Sequence, residues 1–295
     1  MIIEQFSEFP IIWGLLLIIL GLLVGSFLNV VILRLPGSLE HEWKMQCREL
    51  LADASGEEDV QAPPNIAFPA SFCPQCKAPL KWWQNIPVLS YLLLRGKCHA
   101  CKQTIPLRYP AIEILTALLT LAAGFSFPET RSLPWILLLV WLLIAMSVID
   151  FDTQLLPDNL TLPLMWLGLL YNIQAHSFVS PTDAIIGAAA GYMVLWIIFQ
   201  AHYFITKRQG MGYGDFKLLA AAGAWLGWQN LPFVLLIAAV TGLLVAIALI
   251  VFRNHDKNQA IPFGPYLAIG FLVILFWGEG MIDLYFGLLG LGVGS

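Results

Sequence analysis

Two stretches of this chain hold acids where acids are expensive. In Gly210-Met-Gly-Tyr-Gly-Asp-Phe-Lys217, Asp215 stands among glycines at the start of an apolar run, and in Ser147-Val-Ile-Asp150-Phe-Asp152 a second carboxylate closes another run. A carboxylate at the edge of a membrane span loses hydration, so it calls for a partner, a proton or a task. Asp150 and Asp215 facing each other would make an aspartyl hydrolase: one ionised carboxylate as general base on water, one protonated and polarising a carbonyl, with no covalent intermediate. Asp152 is the rival for the first position. It lies two residues on, about 200° around a helix, so both cannot face Asp215. Asp158, after Leu155-Leu156-Pro157, reads as a helix N-cap. Gly212 and Gly214 are expected to support the site by taking positive φ and letting another chain approach, and Lys217 to snorkel to the interface. Ile261-Pro-Phe-Gly-Pro-Tyr-Leu267 reads equally as a second extended wall of the site or as a helix start.

A second chemistry is written in cysteine. Cys73-Pro-Gln-Cys76 and Cys98-His-Ala-Cys101 are separated by 21 residues. Two such knuckles suit the closed four-thiolate cage of a structural zinc ribbon, which leaves no open position for a metal-bound water. His99, inside the second knuckle, reads as a bystander, and Cys47, with no Cys-x-x-Cys neighbour, as a passive thiol. Trp82, Trp83 and Tyr91 between the knuckles are expected to supply a small apolar core.

The elements that must position these groups are helices in a membrane. With 59% hydrophobic and 12% charged residues in 295, the chain lies far from soluble usage, where about a quarter are charged. Apolar runs long enough, or nearly so, to cross about 30 Å fall at 11–33, 111–128, 133–150, 159–175, 184–205, 214–228, 231–252 and 263–280, predicting an all-α polytopic protein of about eight transmembrane helices. Fourteen of the 15 Lys and Arg fall in loops of one parity, Arg131 alone opposing them. The positive-inside rule then puts the loop 35–110 in the cytoplasm and both termini outside. Glu4 and Glu8 precede the first run in place of a basic region, so it reads as a retained span. Gly21, Gly25 and Ser26 suit close packing there, and Asn29 a hydrogen bond between helices. Beyond Arg34 and Pro36, an amphipathic surface helix over 39–52 and a flexible acidic linker are expected. Glu113, one turn into the second span, is expected to act as a cap or between helices. The domains follow: a first span over 1–36, a loop domain with the four-Cys site over 37–108, and a membrane peptidase core over 109–295. No basic stripe points to nucleic acid.

Several of these motifs together resemble one family. Gly25-Ser-Phe-Leu-Asn-Val-Val, the paired Cys-x-x-Cys, Arg108-Tyr-Pro, Ile149-Asp-Phe-Asp-Thr-Gln-Leu-Leu-Pro-Asp158, Gly212-Tyr-Gly-Asp-Phe-Lys217 and Pro262-Phe-Gly-Pro-Tyr-Leu-Ala268 are similar to the type IV prepilin peptidases, the bifunctional leader peptidase/N-methyltransferases within the Gly-x-Gly-Asp aspartyl proteases. The resemblance implies cleavage of the basic leader of prepilins and pseudopilins on the cytoplasmic side of the bacterial inner membrane. It also implies methylation of the new N-terminus from S-adenosylmethionine. By matching position, it puts the catalytic aspartates on Asp150 and Asp215 and the zinc-type cysteines on Cys73, Cys76, Cys98 and Cys101. A secondary transporter using the aspartates as cation sites is disfavoured by their sidedness, and a zinc-ribbon scaffold would leave them without a purpose. Nothing in the sequence speaks to the oligomeric state.

Overall fold

The computed structural model describes residues 10–50, 63–128, 131–174, 177–207, 211–253 and 261–288, with backbone alone at 279 and 282–288. Gly210, the linker acids Asp53, Glu57, Glu58 and Asp59, and the N-terminal Glu4 and Glu8 lie outside these residues. All eight apolar runs are helical. In chain order the helices are α1 (Pro10–Leu50), the short α2 (Leu89–Leu93), α3 (Arg108–Ser126), α4 (Leu133–Thr153), α5 (Asp158–Tyr171), α6 (Pro181–Thr206), α7 (Tyr213–Leu226), α8 (Leu231–Arg253) and α9 (Gly264–Leu288). Among the described residues, five are long and apolar enough to cross a membrane: α1, α3, α4, α6 and the segment Trp228–Phe252 containing α8. The chain is thus a multi-pass membrane protein. It divides into two compact units, Met1–Leu137 and Leu138–Ser295.

In the first unit α1 packs along α3. The contact is close because small residues remove the usual spacing: a Cβ on Gly21 would lie 2.5 Å from the Ala117 Cα, and one on Gly25 2.7 Å from the Glu113 Cα. The Asn29 amide donates to the Tyr109 carbonyl at 3.2 Å, the expected bond between helices. The separate surface helix anticipated over 39–52 does not form. Instead, α1 runs unbroken through Pro36 to Leu50. One proline removes a single backbone bond, while the helix-forming residues that follow, with a Glu40–Lys44 ion pair at 2.6 Å, carry the helix on. At 41 residues α1 extends about 60 Å, so much of it projects beyond a bilayer core.

The second unit is built around α7. At 14 residues it rises only about 21 Å, short of the hydrocarbon core, yet from Asp215 to Leu226 nearly every residue is buried. A helix apolar on all sides belongs inside protein, and α5, α6, α8 and α9 pack against it. Gly187 of α6 and Gly223 of α7 bring their backbones so close that a Cβ on either would collide with the other's carbonyl. On the α5 side, Trp225 Nε1 donates to the Leu164 carbonyl at 2.9 Å, and buried Asn172 donates to the carbonyls of Ala224 and Trp225 at 2.8 and 3.0 Å. These bonds fix the height of α7, and with it the height of Asp215.

Candidate functional site

Asp150 lies in the last turn of α4 and Asp215 in the first turn of α7. Both carboxyls are buried, whereas Asp152 is exposed; the 200° offset decides between them as the helical geometry requires. Asp150 and Asp215 interact electrostatically, and the Asp215 carboxyl also accepts the Gly212 N–H at the helix start. Asp150 Oδ2 accepts the Gly264 N–H at 3.0 Å. Gly264 opens α9, so the Pro262-Phe-Gly-Pro segment is a helix start whose first residue forms a third side of the site. Its glycine is required by space: a Cβ there would sit 2.6 Å from Asp150 Oδ2.

The glycines near Asp215 play a different part from the one expected. Neither Gly212 nor Gly214 has positive φ. Gly212 is the N-cap of α7, with φ −81° and ψ 147°, and Gly214 lies within its first turn. What Gly214 supplies is room, since a Cβ on it would lie 2.5 Å from the Leu156 Cβ. Leu156 also reaches Gly264, so one buried leucine sits against the glycines that adjoin both carboxyls.

Asp158 is not the N-cap. Pro157 takes that place in extended conformation, because its fixed φ lets it enter the helix without losing a needed N–H. Asp158, one position later, is free to pair with Lys217 Nζ at 2.6 Å. That bond gives Lys217 a partner and ties the starts of α5 and α7. The pair is partly exposed, so Lys217→Met is expected to cost no more than about 1 kcal/mol of stability, measurable as a small shift in thermal unfolding in detergent. A pair of carboxyls held this way can keep one proton between them, activating water with one while the other hydrogen-bonds a carbonyl oxygen.

The cysteines form the second candidate site. The sulfurs of Cys73, Cys76, Cys98 and Cys101 all lie within 4.8 Å of one another. The two knuckles repeat the same backbone. Cys73 N donates to Ala78 O at 2.9 Å and Cys98 N to Gln103 O at 2.8 Å; Lys77 and Lys102, following the second cysteine of each, have φ 57° and 61°. Cys73 and Cys101 sulfurs are 3.9 Å apart, close to the roughly 3.8 Å edge of a tetrahedron with 2.3 Å metal–sulfur bonds. The electrostatics fit a cation as well. N–H groups of Cys101 and Ala100 pull the Cys98 thiol down to about 6. At Cys101 the Gln103 N–H also favours the thiolate, but desolvation and the three neighbouring sulfurs push it up to about 11. Four thiolates cannot share so small a volume without a compensating positive charge. The cluster could therefore hold a metal ion.

His99 is exposed and lies edge-on to Trp83, with ring centroids 6.0 Å apart, and Cys47 is exposed. Trp82 does not join the module's core: it is 81% exposed, because it shares a single 3-10 turn with Trp83, which takes the inward position. Glu113, expected as a cap or a link between helices, bonds Ser26 of α1 and accepts the Val88 N–H of the cysteine module at 2.8 Å. Sequence reasoning offered the segment around Gly264, a glycine framed by two prolines, as one wall of the site or a helix start, without its bond to Asp150, and it missed Leu156.

Comparison with known proteins places both sites in context. Residues 19–127 match the bacterial peptidase A24 N-terminal domain, and residues 137–247 match the type IV leader peptidase family. A prepilin leader peptidase/N-methyltransferase of Aeromonas hydrophila is 48% identical over 97% of this chain and 98% of its own. Those of Pseudomonas aeruginosa and Legionella pneumophila are 46% and 45% identical, over 96% and 93% of this chain and 97% and 96% of theirs. No solved structure matches.

Proposed function

The chain belongs to the type IV leader peptidase family, and from that premise we propose that it is a bifunctional prepilin-processing enzyme of the inner membrane. It cleaves the leader of prepilins and pseudopilins as an aspartyl endopeptidase, then N-methylates the new N-terminus with S-adenosylmethionine as donor. The observation that carries the peptidase reading is the meeting of two buried carboxyls, from helix ends 65 residues apart in sequence, with a backbone N–H aimed at one of them.

Asp150 and Asp215 are the catalytic pair, within the peptidase core of 109–295. One carboxylate takes a proton from water as the water attacks the scissile carbonyl. The other, protonated, donates a hydrogen bond to that oxygen and then passes its proton to the leaving amine. The Gly264 N–H holds Asp150 in register, the Gly212 N–H bonds Asp215, Gly214 makes room for Leu156 beside it, and Lys217 braces the site through Asp158. Cys73, Cys76, Cys98 and Cys101 hold a structural zinc. Their four thiolates would complete its shell, so its contribution is to fold the loop domain of 37–108.

The deciding experiment is incubation of purified, detergent-solubilised protein with a leader-bearing prepilin. Shortening of the substrate supports the peptidase, whereas an intact substrate alongside cation flux in proteoliposomes would favour a transporter. Gly264→Ala is expected to leave a folded protein but to displace Asp150, lowering cleavage by about 10- to 100-fold, the worth of one hydrogen bond to a charged group. The orientation rests on the distribution of Lys and Arg. Cysteine labelling is expected to find residues 45 and 154 on the cytoplasmic face and 178 and 230 on the other, and 45 and 154 on opposite faces would overturn it.

A further inference from the structure

The cysteine module is tied to α1 and α3 at an unexpected depth. Val88, the residue before α2, gives its N–H to Glu113 Oε2 at 2.8 Å, and Glu113 also bonds Ser26 of α1. Glu113 lies five residues into α3 from Arg108, and Ser26 eight residues before Arg34 in α1. Those offsets are about 8 Å and about 12 Å of helix rise. Arg34 and Arg108 mark where the two helices leave the hydrocarbon, because a guanidinium stays at the interface. The Glu113 side chain leans back toward the start of α3, so Val88 lies between the level of Glu113 and that of Arg108. A five-residue helix rises only about 8 Å, so α2 stays within about one such length of the level of Arg108.

At this depth α2 presents hydrocarbon with no protein over it. Leu89, Leu92 and Leu93, on one face by their spacing, are 50%, 65% and 66% exposed, while Tyr91 turns inward to the Ile105 carbonyl. Leu107, 72% exposed, is in helical conformation and its carbonyl accepts the Ala111 N–H. It thereby extends the exposed, mostly apolar stripe of α3 formed by Ala111, Leu115, Leu118, Ala122 and Phe125. Entering a bilayer requires backbone polar groups to be satisfied within the protein, and the N–H groups here go toward that: those of Ser90, Leu92, Leu94, Arg95, Gly96 and Lys97 bond carbonyls of residues 86–94, and that of Val88, held at φ 57° before the turn begins, is taken by the buried acid.

We propose that α2 is a re-entrant element: Leu89, Leu92, Leu93 and Leu107 are seated among the acyl chains of the leaflet nearest the cysteine module. Arg95 and Lys97, directly after the leucines, reach the anionic headgroups of that leaflet. Glu113 is the positioning residue that allows the insertion, because it supplies an acceptor where water cannot.

The test uses the full-length protein in nanodiscs of phosphatidylcholine and phosphatidylglycerol, with Cys47 replaced by serine and metal content checked. A bimane label on Leu92→Cys, and in separate proteins on Leu89→Cys and Leu93→Cys, is read with and without lipids spin-labelled near the headgroup end of the chain. The reference is bimane on native Cys47, which lies 13 residues beyond Arg34 on α1, about 20 Å further out. The expected result is quenching at 89, 92 and 93 several-fold above that at Cys47 with no substrate present. Quenching at all three no greater than at Cys47 overturns the proposal. So does a label that responds only when a prepilin is added, since the face would then belong to substrate. The readout needs neither peptidase nor methyltransferase activity, so it stands apart from the proposed function.

Discussion

Asp150→Asn and Asp215→Asn are each expected to reduce cleavage of a leader-bearing prepilin by about 100- to 10,000-fold, the contribution of one general acid or base, while the protein remains folded and inserted. Asparagine keeps the size of the side chain and can occupy the space beside Gly264, but it cannot exchange a proton. Methylation of a substrate already cleaved should survive in both variants, since it makes no use of the carboxyl pair. Asp152→Asn should cleave normally, because that side chain faces out of the site. Wild-type cleavage should follow a bell-shaped pH profile: activity needs one charged and one neutral carboxyl, so it falls when both are protonated or both ionised. The measurement is a gel-shift cleavage assay across pH on purified variants. Loss in Asp152→Asn with tolerance in Asp150→Asn would move the first carboxylate by two residues.

The second large effect is expected from the cysteines. Replacing Cys73 and Cys98 together by serine should abolish metal binding and leave the segment 66–106 open to proteolysis. A four-thiolate zinc site contributes on the order of 10–16 kcal/mol of apparent binding free energy in small domains, far more than the ring contact of Trp83 with His99 can supply. Methylation is expected to suffer at least as much as cleavage, because the carboxyl pair belongs to helices of the other compact unit. Metal analysis and limited proteolysis check this, and full metal content in the double variant would refute the assignment.

What could be read from the sequence, and what could not, follows from the range of the forces. The eight helices were legible because each lies in an apolar run, that of α7 being short, and the cysteine cluster because its spacing alone nearly dictates a cage. Helical phase allowed only one of Asp150 and Asp152 to face the site, and Asp150 could be preferred because it lies deeper in the apolar run. The third side of the site was not legible as such. Gly264 reaches Asp150 across 114 residues, and a backbone N–H has no signature in sequence. Gly214 signalled a close approach correctly and Gly212 did not, and neither takes the expected positive φ, since a missing Cβ can serve room, conformation or neither. Pro36 misled in the same way: a residue that usually ends a helix is tolerated where the sequence on both sides favours continuing. The role of Glu113 depends on Val88, a residue no pattern marks.

Leu156 has a consequence for how the enzyme's pH response is to be interpreted. It is buried and touches the glycines beside each carboxyl, so it serves as a spacer in the site. A hydrocarbon spacer carries no charge and has the same dimensions in acid and in alkali, unlike an ion pair, which lets go when either partner titrates. This part of the gauge stays constant while the protons move, so any change of the carboxyls' separation with pH has to come from elsewhere than Leu156.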